Sequence, residues 1–286
     1  MSEVHAATVL LQWAAGGLLF GWVTARRREV GPGYGWLLRS VYGALAALAG
    51  IVGAAAGFRP VRDTAALVAA ALAFGVLGVS VRRRAQTPSA QRSDAQRRRA
   101  RVAAMLGRPA PTPDRPEGPD GAGFAPALDL LPAAAGLVGV VAGGVAAGGP
   151  VALSIARVAV GALFLGVVSD AMLLGHWYLV QPGLRRAPLV QLVRWAMALW
   201  VAETVVLLWP TGVVSILTGG VDDGFGGLLG WYWALCAAGS ALLLGATEAA
   251  LRIRRYAAVM AGTGLLYLAI MTAFGMDLMA RVSLRP

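Results

Sequence analysis

Long apolar runs separated by short arginine-bearing turns dominate this chain. A run of about 20 apolar residues is needed to cross a hydrocarbon layer roughly 30 Å thick. Eight segments qualify: 7–25, 35–58, 64–81, 127–149, 151–180, 189–209, 228–251 and 257–280. The pattern predicts an all-α polytopic integral membrane protein, a bundle of about eight transmembrane helices. The third run is short, and the fifth is long enough to tilt or protrude. Gly149–Pro150 divides the fourth from the fifth, where one continuous helix would be too long for a single crossing.

The chain falls into three parts. Residues 1–81 hold spans one to three, 82–126 form an Arg/Pro-rich loop, and 127–286 hold spans four to eight. Arginines follow spans one, three, five and seven: Arg26, Arg27 and Arg28; Arg82, Arg83, Arg84 and seven more by Arg115; Arg185 and Arg186; Arg252, Arg254 and Arg255. They alternate so as to share one side, which the positive-inside rule makes cytoplasmic. Both termini are then external, and the expected location is the inner (cytoplasmic) membrane. No basic n-region precedes span one, so it is expected to stay as an anchor. Trp22, Trp36 and Trp177–Tyr178 fall near inner boundaries, and Trp209 and Trp231–Tyr232–Trp233 near outer ones, as interfacial aromatics do.

Composition sharpens this reading. Of 286 residues, 58% are hydrophobic and only 14% charged, against about 25% charged in soluble domains. A soluble globular enzyme and a disordered chain are both excluded. The net charge of +11 comes from 25 basic residues, every one an arginine. Without lysine there is no Schiff base, hence no retinal pump. Charge placed this way reflects cytoplasmic loops and does not imply a nucleic-acid partner. The lone cysteine, Cys236, permits neither an intrachain disulfide nor a cysteine metal cluster.

In the long loop, 89–107 suits a short basic helix, and the prolines of 108–126 favour an extended linker. Two readings stay open for its arginines: a clamp on anionic headgroups or an acidic partner, or a solvated loop obeying the charge rule. Glycine pairs four apart (Gly17/Gly21, Gly53/Gly57, Gly139/Gly143, Gly144/Gly148) support close helix packing. Spans one to four and five to eight both begin outside, the arrangement a parallel duplication would give.

Chemistry is expected from ionisable groups inside the bilayer, where each is costly and tends to face a partner or cavity. Asp170 lies eleven residues before Gln181, about 16 Å along the helix and near mid-membrane. It reads as a proton, cation or ligand-headgroup site, or as a neutral carboxyl bonded to another helix. Arg157 and Glu203, at similar depth on consecutive spans, are expected to pair. Arg194, Glu248 and Asp277 lie nearer the interfaces, and Arg39 is the lone counterpart in the first half. His176, at the inner end of span five, is a proton entry group, a quinone-carbonyl donor or an interfacial side chain. His5 lies across the membrane from it, which disfavours a bis-His haem. Asp222 and Asp223 fit a solvated turn better than a Ca²⁺ site.

Eight spans with external termini, in two sets of four, are similar in layout to quinone-interacting membrane subunits of respiratory complexes. The likeness is one of layout without a matching motif and transfers no sites. It implies a quinone- or proton-handling subunit of an electron-transfer complex, with quinone as cofactor and other membrane subunits as partners within the lipid bilayer. A small permease with its solute near Asp170, or a non-catalytic scaffold, are the alternatives. The apolar spans suit quinone better than a hydrophilic solute. In a Cys236→Ala background, Arg115→Cys should react with a membrane-impermeant maleimide only after the cytoplasmic side is opened. Labelling from the external side would overturn the orientation.

Overall fold

The computed structural model describes residues 6–26, 29–85, 96, 99–100, 102–103, 105, 125–181, 184–210, 212–218, 220, 224–253 and 255–283. Eight long helices form it: α1 (Ala6–Ala25), α2 (Pro32–Ala56), α3 (Pro60–Ala85), α4 (Leu130–Val145), α5 (Val151–Val180), α6 (Ala187–Leu208), α7 (Leu228–Arg252) and α8 (Tyr256–Ser283). A 3₁₀ turn, Pro126–Asp129, leads into α4, and a one-turn helix, Val214–Leu217, lies between α6 and α7. All eight, with the 3₁₀ turn counted into the fourth, are long and apolar enough to cross a membrane. The expected all-α polytopic bundle is what the chain forms. His5, Asp222, Asp223 and most of the 82–126 loop lie outside the described residues.

Local chemistry sets the helix boundaries. Proline occupies the first turn of α2, α3 and α6, where its missing N–H deprives no carbonyl of a partner. Between α4 and α5 the chain turns through Gly148 and Gly149 at φ +84° and +72°, a left-handed conformation open to glycine. The turn falls where the sequence placed its break.

α3 starts four residues before the predicted span because Arg62 and Asp63 are stabilised inside the protein. Arg62 Nε donates to Asp63 Oδ1 at 2.6 Å, and its guanidinium reaches Thr8 of α1 at 3.2 Å. Asp63 Oδ2 also accepts the Arg59 backbone N–H at 2.7 Å, capping the helix start. Both side chains are buried, Asp63 against Gly53 of α2, so hydropathy alone excluded residues that the bundle accommodates.

The helices pack as two rings of four. In the first, α1 contacts α2, α2 contacts α3, α3 contacts α4 and α4 returns to α1. In the second, α5, α6, α7 and α8 follow the same order and α8 returns to α5. α5 joins the rings by also packing on α1 and α4. It is therefore the central helix, with every residue from Phe164 to Ala171 buried. Outward faces carry large apolar side chains such as Leu67, Leu235, Leu242, Leu268 and Met271, as contact with lipid requires.

Small residues make the joint between the rings. At Gly16 a Cβ would overlap the Ala162 carbonyl, and at Gly166 it would overlap the Gly16 backbone. The α1 and α5 backbones thus touch, the arrangement by which membrane helices gain packing without a hydrophobic driving force. Gly139 and Gly143 place α4 on α1 and α3 in the same manner. Gly166→Leu should force the rings apart. Overpacking costs about 1–3 kcal/mol at ordinary sites and more where backbone must move. A melting temperature in detergent within about 2 °C of wild type would contradict this contact.

Candidate functional site

Among the described residues, two clusters of buried polar side chains lie against α5, on different faces of it. The first is the Asp170 site. Asp170 is fully buried, and its Oδ1 accepts the Tyr42 hydroxyl of α2 at 2.6 Å. Tyr42 Oη also lies 2.9 Å from Ser169 Oγ, while Ser169 Oγ is 2.8 Å from the Leu165 carbonyl. The Tyr34 hydroxyl donates to the Asp170 backbone carbonyl at 3.0 Å. Asp170 Oδ2 has no hydrogen-bond partner. Two tyrosines about two turns apart on α2 thus hold the Asp170 turn of α5. Tyr42 lies flat against α1 because Gly17 has no side chain; a Cβ there would overlap the ring.

The chemistry of this chain of hydroxyls is directional. With Asp170 ionised, Tyr42 donates its single hydrogen to the carboxylate. With Asp170 protonated, the carboxyl becomes a donor and Tyr42 can turn its hydrogen to Ser169, which passes its own to the Leu165 carbonyl. Each state satisfies the hydroxyls, so a change of protonation needs only hydrogen reorientation.

The second site centres on Gly161 of α5, two and a half turns from Asp170. The point that a methyl group at 161 would occupy lies 2.7 Å from Asp277 Oδ1, 2.9 Å from Gln12 Nε2 and 3.4 Å from Glu203 Oε1. Side chains of α1, α6 and α8 therefore converge on the bare backbone of α5. Gln12 is anchored by donating from Nε2 to the Val158 carbonyl at 2.7 Å, and Asp277 takes two hydrogen bonds from Arg281, at 2.7 and 3.2 Å. Glu203 is fully buried and neither of its oxygens has a hydrogen-bond partner, although it lies in the field of Asp277 and Arg281. Gln12 Oε1 is likewise unpartnered.

Arg157 and Glu203 do not pair. Arg157 turns outward, donating from Nε to the Val206 carbonyl at 3.0 Å and from its terminal nitrogen to the Trp209 carbonyl at 2.6 Å. The end of a helix exposes carbonyls that no later N–H reaches, and they attract a cation nearer the interface. Glu203 does face α5, but at Gly161, one turn deeper than Arg157. Arg194 is separate from both sites: its Nε lies 3.3 Å from Glu248 Oε1, which also faces Arg252 at 3.6 Å, and both arginines are largely exposed. His176 Nδ1 lies 3.3 Å from the Tyr267 hydroxyl on the exposed flank of α5 and α8.

Sequence reading passed over several of the residues now seen at or near these sites. Arg39, expected as the one ionisable group inside the first-half spans, forms a two-pronged ion pair with Asp129, Nε to Oδ1 at 2.7 Å and the terminal nitrogen to Oδ2 at 2.8 Å. Asp129 precedes α4 and sits inside the predicted fourth span, where its carboxylate was a legible signal. Gln12, Tyr34 and Tyr42 carry no charge and stood out less from their apolar surroundings. Among the described residues, no three His, Cys, Asp or Glu side chains come together, so a transition metal has no ligand set of that kind.

No protein family matches the chain, and comparisons with curated proteins and with solved structures give no match. Any functional reading rests on these side chains.

The Arg39–Asp129 pair yields a stability prediction. Replacing Arg39 alone by Leu strands a buried carboxylate and should cost about 3–5 kcal/mol, while Arg39→Leu with Asp129→Leu should cost less than either single change. Denaturant titrations of the three variants in micelles measure this. A double variant as unstable as the sum of the singles would show that the two side chains act independently.

Proposed function

We propose that this protein is a proton-handling membrane subunit of an electron-transfer complex, with Asp170 as its protonatable group. The observation that carries the reading is the Asp170 carboxyl, buried about two thirds of the way along the central helix with one oxygen on Tyr42 and the other free. Groups of this kind inside a membrane commonly serve proton relays. The Tyr42–Ser169 chain supports it further, because it accommodates both protonation states without moving the backbone.

A membrane-dissolved quinone is the redox partner that suits this reading. His176 and Tyr267 lie on the exposed α5–α8 flank, beside the outward-facing Leu268 and Met271. They would offer hydrogen-bond donors to a quinone carbonyl arriving from the lipid. An apolar ligand also accords with the few polar side chains along the spans. Electrons would be supplied by partner subunits.

The test is proton movement into liposomes holding the purified protein and an entrapped pH dye, after an external acid jump. Asp170→Asn keeps size and hydrogen bonding but cannot ionise. It should lower the initial rate at least about tenfold, as loss of a proton-transfer group does. Its melting temperature should stay near that of wild type. Tyr42→Phe should lower the rate less, since one link of the chain is lost while the carboxyl remains. An Asn variant that moves protons at the wild-type rate would remove Asp170 from the pathway.

A further inference from the structure

The Gly161 site has a composition that the Asp170 reading does not use. With both carboxyls ionised, Glu203 and Asp277 would carry two negative charges against the one positive charge of Arg281, a net charge of −1. Arg281 is committed to Asp277 by two hydrogen bonds, which neutralises that pair and leaves Glu203 as the uncompensated group. A buried carboxylate without a partner is strongly unfavourable. Three acceptor oxygens here (both of Glu203 and the Oε1 of Gln12) are buried without any donor.

The charged groups on the surrounding helices do not resolve the deficit. On α5 the nearest is Arg157, one turn toward the surface, and its guanidinium is held by the carbonyls of Val206 and Trp209. On α7 the acidic and basic groups, Glu248 and Arg252, face Arg194 in a separate cluster. Gln12 of α1 is neutral; its Nε2, beside Gly161, is held by the Val158 carbonyl, and its oxygen has no partner. A donor is missing, and a positive charge is missing.

The geometry points to a binding site for a single alkali-metal cation between α1, α5, α6 and α8, with Glu203, the Gln12 amide oxygen and Asp277 as its oxygen ligands. Hard cations take carboxylate and amide oxygens, and the net charge of −1 matches one monovalent ion, whereas a divalent ion would leave an excess buried positive charge. Gly161 makes the site possible. A Cβ there would stand within 2.9 Å of both Asp277 Oδ1 and Gln12 Nε2, crowding the ligands. Asp277 has a second part to play: its pairing with Arg281, whose side chain is 21% exposed, connects the site to the end of α8. The inference stands apart from the Asp170 proposal, since it uses different side chains on another face of α5.

The experiment is thermal unfolding of the full chain in detergent at fixed ionic strength, with choline chloride replaced stepwise by sodium chloride, and in parallel by potassium chloride. Sodium or potassium should raise the melting temperature saturably, because an ion that binds only the folded state stabilises it by mass action. The apparent affinity should fall by up to about tenfold for each pH unit of acidification over the range where protons compete for Glu203. Glu203→Gln should abolish the ion response, and Gly161→Ala should weaken it at least about tenfold by filling the site. An unfolding curve of the wild type that is the same in choline, sodium and potassium overturns the proposal, whatever the variants do. So does stabilisation by acid alone that disappears in Glu203→Gln without any ion response, which would show that Glu203 takes a proton instead.

Discussion

The backbone contact between α1 and α5 is the constraint from which both polar sites follow. Where Gly16 meets Ala162 and Gly166, the two helices approach so closely that their next residues cannot avoid each other. Gly17, beside the contact, opens the slot in which the Tyr42 ring lies, and that ring brings α2 to Asp170. One turn away in the other direction, Gln12 reaches the Val158 carbonyl and faces Gly161. Larger residues at 16 or 166 would move α1 outward and separate both sets of partners. The glycines are therefore part of the chemistry, although they contribute no functional atom.

Burial in lipid explains why the polar groups are organised as they are. Water cannot rescue a misplaced donor or charge there, so each charge has to be completed by a neighbour on its own helix, by another helix or by a helix end. Arg39 finds Asp129 and Arg62 finds Asp63, both in the first ring. Arg157 finds the carbonyls at the end of α6. Arg39, Arg62 and Arg281 close their charges in pairs, while Glu203 and one oxygen of Asp170 lack a hydrogen-bond partner. The unpartnered oxygens are the groups to which the two proposals assign an exchangeable proton or ion.

Much of the architecture was legible in the sequence, because crossing a membrane demands long apolar runs and little else produces them. All eight spans were found, and Asp170 stood out by depth alone. Rotation about the helix axis was not legible. Arg157 and Glu203 were rightly placed on facing helices, yet a single turn of α5 and the free carbonyls of α6 sent them to different partners. Arg62 and Asp63 were excluded because hydropathy counts a charge without knowing that its neighbour cancels it. Gln12 and Tyr42 were overlooked because an uncharged polar side chain lowers hydropathy too little to attract notice. The Asp129 carboxylate lay within a predicted span and was legible. Arg281 follows the last apolar run, and hydropathy gives no sign that it turns back onto Asp277.

The depth of Asp170 has an electrical consequence. A charge moved fully across a membrane gains or loses about 2.3 kcal/mol for each 100 mV of transmembrane voltage. A proton reaching Asp170 at the mid-layer depth expected from the sequence would cross roughly half of that drop, about 1 kcal/mol per 100 mV. Under the proposed role its protonation would be a voltage-dependent equilibrium. An energised membrane would shift the occupancy of this one carboxyl several-fold relative to a de-energised one, with no change of pH on either side.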